Sequence, residues 1–351
     1  MRVLVIGSVP RVAAPNHLPW LRYVVAALKR LDHAVEVATY RESWAASPTI
    51  EASAIGVPWA SAALKRWGRA AARRRDRQVV SRARAFRPQL TIVLKGEAYT
   101  TDVFADVKRF TQGPLTSWWV DDPFAYPRSV RDFELFDRVF VFDRSYLPAL
   151  AAMGIGQTAF LPCACDETVY RPQALSARAR ARWGSEVALV ASFYPNRAQL
   201  ARALSYSVDI GVWGNGWTAP AARHELRDRS GILRGGGVDD RTAARIYAAT
   251  KVGLNVHHPQ SRLGGLNMRT FELLAAGVVP LTDWVPGIEE LLEPDREIVC
   301  YRSPAEAQER AADLVKDADC RAAIATRGRA RVLAQHTYVA RMKTLCEGAW
   351  A

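Results

Sequence analysis

At 351 residues the chain is long enough for two domains of about 150 residues, each with its own core. Its 49% hydrophobic and 24% charged residues exclude a disordered chain, and no apolar run nears the roughly 18 residues of a membrane span. The net charge of +13 suits an anionic lipid, nucleic acid or acidic acceptor as partner.

Met1-Arg2-Val3-Leu4-Val5-Ile6-Gly7 is too short for a signal peptide and reads as a first buried strand, so the cytoplasm is the expected location. Further strands are predicted at 34–39, 90–94, 115–120, 138–142 and 158–161, with helical patterns at 17–31, 63–86, 101–110 and 144–152. Near-continuous apolar strands alternating with helices point to a parallel sheet covered on both faces. From Lys65 to Arg87 the chain carries ten basic residues against Asp76 alone. We read this segment as an arginine-rich solvated helix with Leu64, Trp67, Val79, Val80 and Phe86 turned inward.

The pattern breaks from Pro162 to Arg182 and then restarts, with strands predicted at 187–191, 208–212, 252–256, 279–282 and 297–300 and helices over 304–347. Five scattered cysteines, Cys163, Cys165, Cys300, Cys320 and Cys346, lack zinc-ligand spacing and read as free thiols. The first strand ends in Gly7-Ser8-Val9-Pro10, which is not the glycine fingerprint of a dinucleotide site.

Residues with chemistry cluster beyond predicted strand ends, where parallel α/β sheets bind ligands. The richest stretch is Gly264-Gly265-Leu266-Asn267-Met268-Arg269-Thr270-Phe271-Glu272, continuing to Gly277 and an apolar strand. A helix opening there offers N–H groups and dipole to a phosphate, near Gly265, Asn267 and Thr270. Arg269 can grip a phosphate in bidentate fashion, and the acceptor-only carboxylate of Glu272 can take two ribose hydroxyls. Arg262 and Arg197 are further phosphate candidates, and Trp213 with Gly214 could line a nucleobase.

In the first half, Asp121 and Asp122 follow a strand in Trp118-Trp119-Val120-Asp121-Asp122-Pro123-Phe124 and are candidates for a general base, or else a turn. Lys95-Gly96-Glu97 ends another strand, so Lys95 and Glu97 could address hydroxyls. His17 opens the first helical segment, and His257-His258 ends a strand where a sugar-contact role for His257 competes with metal binding.

Asn-Met-Arg-Thr-Phe-Glu followed by Leu-Leu-Ala-Ala-Gly-Val-Val-Pro resembles the C-terminal half of GT-B glycosyltransferases, especially the CgeB-like (spore maturation protein) group related to glycosyltransferase family 4. The resemblance implies two Rossmann-like domains with parallel sheets facing across a cleft. It places an acceptor domain at 1–165, a nucleotide-sugar domain at 166–335 and a final helix, 336–351, crossing back. Glu272 matches the family's ribose-binding second Glu, whereas Gly264 stands where the first Glu belongs. Arg197 matches the arginine that binds the donor diphosphate. Trp118-Trp119-Val120-Asp121-Asp122-Pro123 resembles a similar CgeB-like run, and His17 sits where family 4 places an acceptor-side polar residue.

The resemblance further implies metal-independent hexosyl transfer from a nucleoside diphosphate sugar (UDP-, GDP- or dTDP-linked), with no other cofactor and an unidentified acceptor. Competing readings are a sugar-nucleotide epimerase or hydrolase, and a nucleic-acid- or membrane-surface-binding protein acting through 65–87 with a vestigial nucleotide site.

Overall fold

The computed structural model describes residues 1–9, 20–41, 73–97, 99–258 and 264–350. His17 and Arg262 lie outside these, as does the 65–72 half of the basic segment. The chain divides into two compact units. The first gathers the described residues up to Leu161 with those from Met342 onward, and the second is Pro162–Arg341.

The first unit holds a parallel sheet of six strands: β1 (Arg2–Val9), β2 (Ala34–Arg41), β3 (Leu90–Leu94), β4 (Leu115–Trp119), β5 (Arg138–Val141) and β6 (Thr158–Phe160). Their order is β2-β1-β3-β4-β5-β6, so the winding direction reverses between β1 and β3. Every residue of β3 and β4 is buried, as the continuous apolar runs required. Helix α1 (Trp20–Arg30) buries Trp20, Tyr23, Val24, Ala27 and Leu28, the i, i+3, i+4, i+7 stripe of a helix lying on a core. Trp20 meets Trp118 edge-on at 5.3 Å. Trp118 in turn donates its indole N–H to the Leu161 carbonyl at 3.0 Å.

Helix α2, described over 73–86, buries Val79 and Ala83 and exposes Arg73, Arg74, Arg77, Arg82 and Arg84. Not all its arginines are solvated. Arg75 is buried against Asp76 and the Tyr99 ring, and Thr100 donates to Asp76 at 2.6 Å, which pins the helix to the loop after β3. The remaining helices are α3 (Thr101–Phe110), α4 (Pro127–Asp132) and α5 (Tyr146–Ala152).

The second unit opens with α6 (Ala177–Trp183) and carries a second six-stranded parallel sheet. Its strands are β7 (Ser185–Val190), β8 (Ile210–Trp213), β9 (Leu233–Gly235), β10 (Thr250–Asn255), β11 (Val279–Asp283) and β12 (Val299–Tyr301), with α7 (Pro195–Leu204), α8 (Pro220–Glu225), α9 (Asp240–Ala248), α10 (Met268–Ala275), α11 (Ile288–Leu291), α12 (Pro304–Lys316) and α13 (Ala318–Gln335) between and after them. The order β12-β11-β10-β7-β8-β9 is the doubly wound Rossmann order, reversing between β7 and β10. Gly253 is required in β10 because a Cβ there would fall on the methyl groups of Leu273, so glycine lets α10 lie close against the strand. The boundary between the units falls within α14 (Tyr338–Gly348).

Two elements depart from the sequence reading. Strand β9 is three residues of Leu-Arg-Gly without apolar alternation, and α4 is a six-residue turn of helix started by Pro127. All five cysteines are free, and no helix among the described residues is long and apolar enough to cross a membrane.

Candidate active site

In a doubly wound sheet the ligand crevice opens beyond the carboxyl ends of the strands where the order reverses, here β7 and β10. Arg197, in the first turn of α7, sits there and is only 6% exposed. Its Nε and Nη2 donate to the Val256 carbonyl at 3.1 and 2.8 Å, and Nη1 donates to the Ser192 carbonyl at 3.0 Å. One guanidinium thereby ties the loop after β7 to the loop after β10. Burial, then the neighbouring Arg269 guanidinium, lower its pKa to about 10.

Helix α10 begins at Asn267, whose Oδ1 accepts from the Thr270 N–H at 3.1 Å. Asn267 is therefore the N-cap, so the helix starts after it and not at the glycine pair from which the sequence reading opened it. Thr270, also expected at the ligand, is fully buried. It joins a polar network around Asn255, the last residue of β10. Asn255 Nδ2 donates to the hydroxyls of Thr270 (3.0 Å) and Thr282 (3.1 Å), and its Oδ1 accepts from Asn267 (3.0 Å) and Arg269 (3.3 Å). His257 lies beside it. Its backbone N–H donates to Asp283 at 2.9 Å, and its ring Nδ1 is 2.8 Å from the same carboxylate oxygen. With a side chain 1% exposed, His257, read from the sequence as a sugar contact, is turned to Asp283 and braces the network.

Arg269 is half-buried and projects from the first turn of α10. The Tyr247 hydroxyl is within its hydrogen-bonding reach, while its Nε is buried without a partner. Among the described residues neither Arg197 nor Arg269 makes a salt bridge with a carboxylate. Two adjacent guanidiniums in a partly desolvated crevice, hydrogen-bonded to neutral acceptors and drawn to Asp283 and Glu272 only through space, favour an anion.

Glu272, one turn further along α10, is 9% exposed. Burial raises its carboxyl to about 7, with Arg269 and a hydrogen bond from Tyr170 acting the other way. Tyr170 lies in the segment between the two sheets, and its role as a partner of Glu272 was not anticipated.

The loop after β8 is built for packing. Gly214 has φ +150°, and a Cβ there would collide with the Ala191 carbonyl, to which Trp217 donates its indole N–H at 2.7 Å. Trp213 is 1% exposed, its indole filling the slot left by the missing side chains of Gly211 and Gly235. A stacking face for a nucleobase, expected of Trp213, is thus enclosed by the protein itself.

In the first unit, the switch between β1 and β3 is flanked by Lys95, which follows β3 in a left-handed conformation (φ 61°). Its Nζ lies 2.6 Å from Asp121, 3.3 Å from Glu97 and 4.7 Å from the Tyr126 ring centroid. Burial would pull the ammonium pKa down, but Asp121 and Glu97 outweigh it and hold it above the ordinary value. The residues read as acceptor contacts, Lys95 and Glu97, thus meet one of the two aspartates. Asp122 does the turn chemistry of its sequence, capping a short 3-10 helix by accepting from the Phe124 N–H at 2.9 Å. Near them, burial first and then Asp122, Asp143 and Asp121 push the Tyr146 phenol upward. Chemically the group offers carboxylate acceptors and one ammonium donor to a hydroxylated ligand.

Comparison with known proteins agrees with this geometry. Residues 197–347 match the family model described as glycosyl transferase-like. The fold is similar to that of HepE from Anabaena, solved in complex with UDP-glucose (14% identity, TM-score 0.66, 99% of this chain and 98% of that one). It is also similar to sucrose-phosphate synthase from Thermosynechococcus elongatus (14%, 0.66, 99% and 98%) and to α,α-trehalose 6-phosphate synthase from Burkholderia multivorans (12%, 0.64, 99% and 97%). No curated protein matches in sequence. The chain has the GT-B fold of two Rossmann-like units, and residues 197–347 match a glycosyl transferase-like family model.

Proposed function

We propose that the protein transfers a sugar from a nucleoside diphosphate donor to a hydroxyl acceptor, and that the donor's diphosphate binds Arg197 and Arg269. The observation that carries this reading is the pair of adjacent guanidiniums at the β7/β10 switch point, neither in a salt bridge among the described residues, one turn from the carboxylate of Glu272. UDP-glucose is the first donor to test, because a protein of similar fold was solved with it. As the glycosidic bond breaks, negative charge grows on the leaving diphosphate, and both guanidiniums would stabilise it in place. Glu272 would hold the ribose hydroxyls and set the register of the donor. Of the two aspartates, Asp121 is taken as the acceptor ligand or base, because it sits with Lys95 and Glu97 at the strand tip whereas Asp122 accepts within its own turn.

Calorimetric titration with UDP, GDP, dTDP and UDP-glucose tests the reading. Saturable binding of at least one nucleotide, one per chain, is expected; failure of all four to bind refutes it. Asp121→Asn is expected to cut turnover roughly 100-fold or more while leaving UDP affinity unchanged. Equal losses in turnover and in UDP affinity would assign Asp121 elsewhere.

A further inference from the structure

Asn255 is fully buried at the end of β10, and its side chain meets four polar groups. All four are able to donate. The hydroxyls of Thr270 and Thr282 rotate, the Asn267 amide already donates, and Arg269 carries only donors. If both hydroxyls turned toward position 255, the contacts given up would be long ones, from Thr270 to His257 Nε2 (3.5 Å) and Asn267 Oδ1 (3.3 Å) and from Thr282 to His257 Nδ1 (3.5 Å) and Asp283 (3.4 Å). The Oδ1 of Asn267 would still accept from the Thr270 N–H, and Asp283 would keep the His257 backbone N–H and ring. The surroundings of residue 255 therefore suit a carboxylate, which would also form an ion pair with Arg269 and relieve its repulsion with Arg197. The chain places the isosteric amide there instead.

A buried charge without a counter-charge is costly, so an amide in a carboxylate's place calls for a reason outside folding. We infer that Asn255 is a positioning residue whose neutrality reserves the charge of Arg269, beside Arg197, for an external polyanion. In the proposed function, on which this inference rests, that polyanion is the donor's diphosphate. A carboxylate at 255 would hold Arg269 in an internal ion pair, and a phosphate would have to displace it. The amide orients the same guanidinium through one hydrogen bond and adds no opposing charge of its own.

The test compares the full chain with Asn255→Asp and Asn255→Leu, using UDP, uridine and inorganic pyrophosphate as probes. Asn255→Asp should fold with a thermal midpoint equal to or above the parent's. Its affinity for UDP and pyrophosphate should fall about 30-fold, with a weaker salt dependence, while uridine affinity stays within about 3-fold. Asn255→Leu breaks the network without adding charge, so it should lower the midpoint and leave the preference for UDP over uridine in place. An Asn255→Asp protein that is less stable than the parent or unfolded overturns the inference, as does an equal loss of UDP and uridine binding. Parent protein that binds pyrophosphate but not UDP, with the Asn255→Asp effect intact, would uphold the reserved charge and sink the nucleotide reading. Parent protein that binds neither would sink both.

Discussion

Replacing Arg269 with alanine is expected to weaken UDP binding by about 100-fold or more, with thermal stability unchanged or slightly raised. The magnitude follows from losing a charge-assisted, two-pronged phosphate contact in a partly desolvated crevice. The stability expectation follows from what Arg269 lacks. Its Nε is buried without a partner, and its charge stands against Arg197. Removing it leaves Asn255 Oδ1 still accepting from Asn267 and relieves the like-charge pair, which offsets the loss of the Tyr247 hydroxyl's partner. Isothermal titration and a melting curve of the ligand-free protein together check this. A variant that binds UDP as the parent does would remove Arg269 from the site. A collapse in the melting temperature would instead make it a structural residue. Arg197 makes a poor substitute target, because alanine there would strand the buried Val256 carbonyl and the half-buried carbonyl of Ser192.

The second large effect concerns pH and Glu272. Burial raises this carboxyl from 4.5 to about 7 in the folded chain. Because the folded pKa lies above the unfolded one, the native state holds the extra proton between those values. The stability gained is fully present below about pH 4.5 and is lost as pH rises through about 7, a change on the order of 3 kcal/mol. Glu272→Gln, neutral throughout, should flatten that slope and be the more stable protein at about pH 8. Nucleotide binding should run the other way. Ribose hydroxyls donate to the ionised carboxylate, so binding pulls its pKa down and releases a proton. Titrations of UDP-glucose, whose esterified diphosphate does not titrate near pH 6.5, in buffers of different ionisation enthalpy should detect proton release at that pH in the parent and none in Glu272→Gln. At about pH 8 the variant should bind UDP roughly 10-fold more weakly, a gap that narrows toward pH 5.5. Proton release that persists in the variant would assign the titration to another group.

Much of this architecture was legible from periodicity. Runs such as Leu90–Leu94 and Leu115–Trp119 announce strands covered on both faces, and the spacing of Trp20, Tyr23, Val24, Ala27 and Leu28 announces a helix on a core. Strand β9 was not legible, because Leu233-Arg234-Gly235 has no pattern of its own and is held by pairing with β8 beside Trp213. At the site, Arg197, Arg269 and Glu272 could be named because charged residues at helix starts after strand ends are scarce and chemically specific. The start of α10 was misread. The glycine pair drew attention, although Asn267 followed three residues on by Thr270, ahead of an apolar run, was the available N-cap signal. Two partners gave no local signal. Asp283 meets His257 from a neighbouring strand, and Tyr170 reaches Glu272 from about a hundred residues away, so only the fold brings them together. Trp213 shows the reverse case, an aromatic beside glycines that sequence reads as a ligand platform and packing turns into core.

Arg269 and Glu272 are proposed to hold opposite ends of one nucleotide, and a crystal of the protein grown with UDP measures this most directly. The prediction is diphosphate oxygens at about 2.8 Å from the Arg269 guanidinium, and ribose hydroxyls at similar distance from the Glu272 carboxylate. Nucleotide density bound away from the carboxyl ends of β7 and β10, with Arg269 still turned to Asn255 and touching no phosphate, would contradict it.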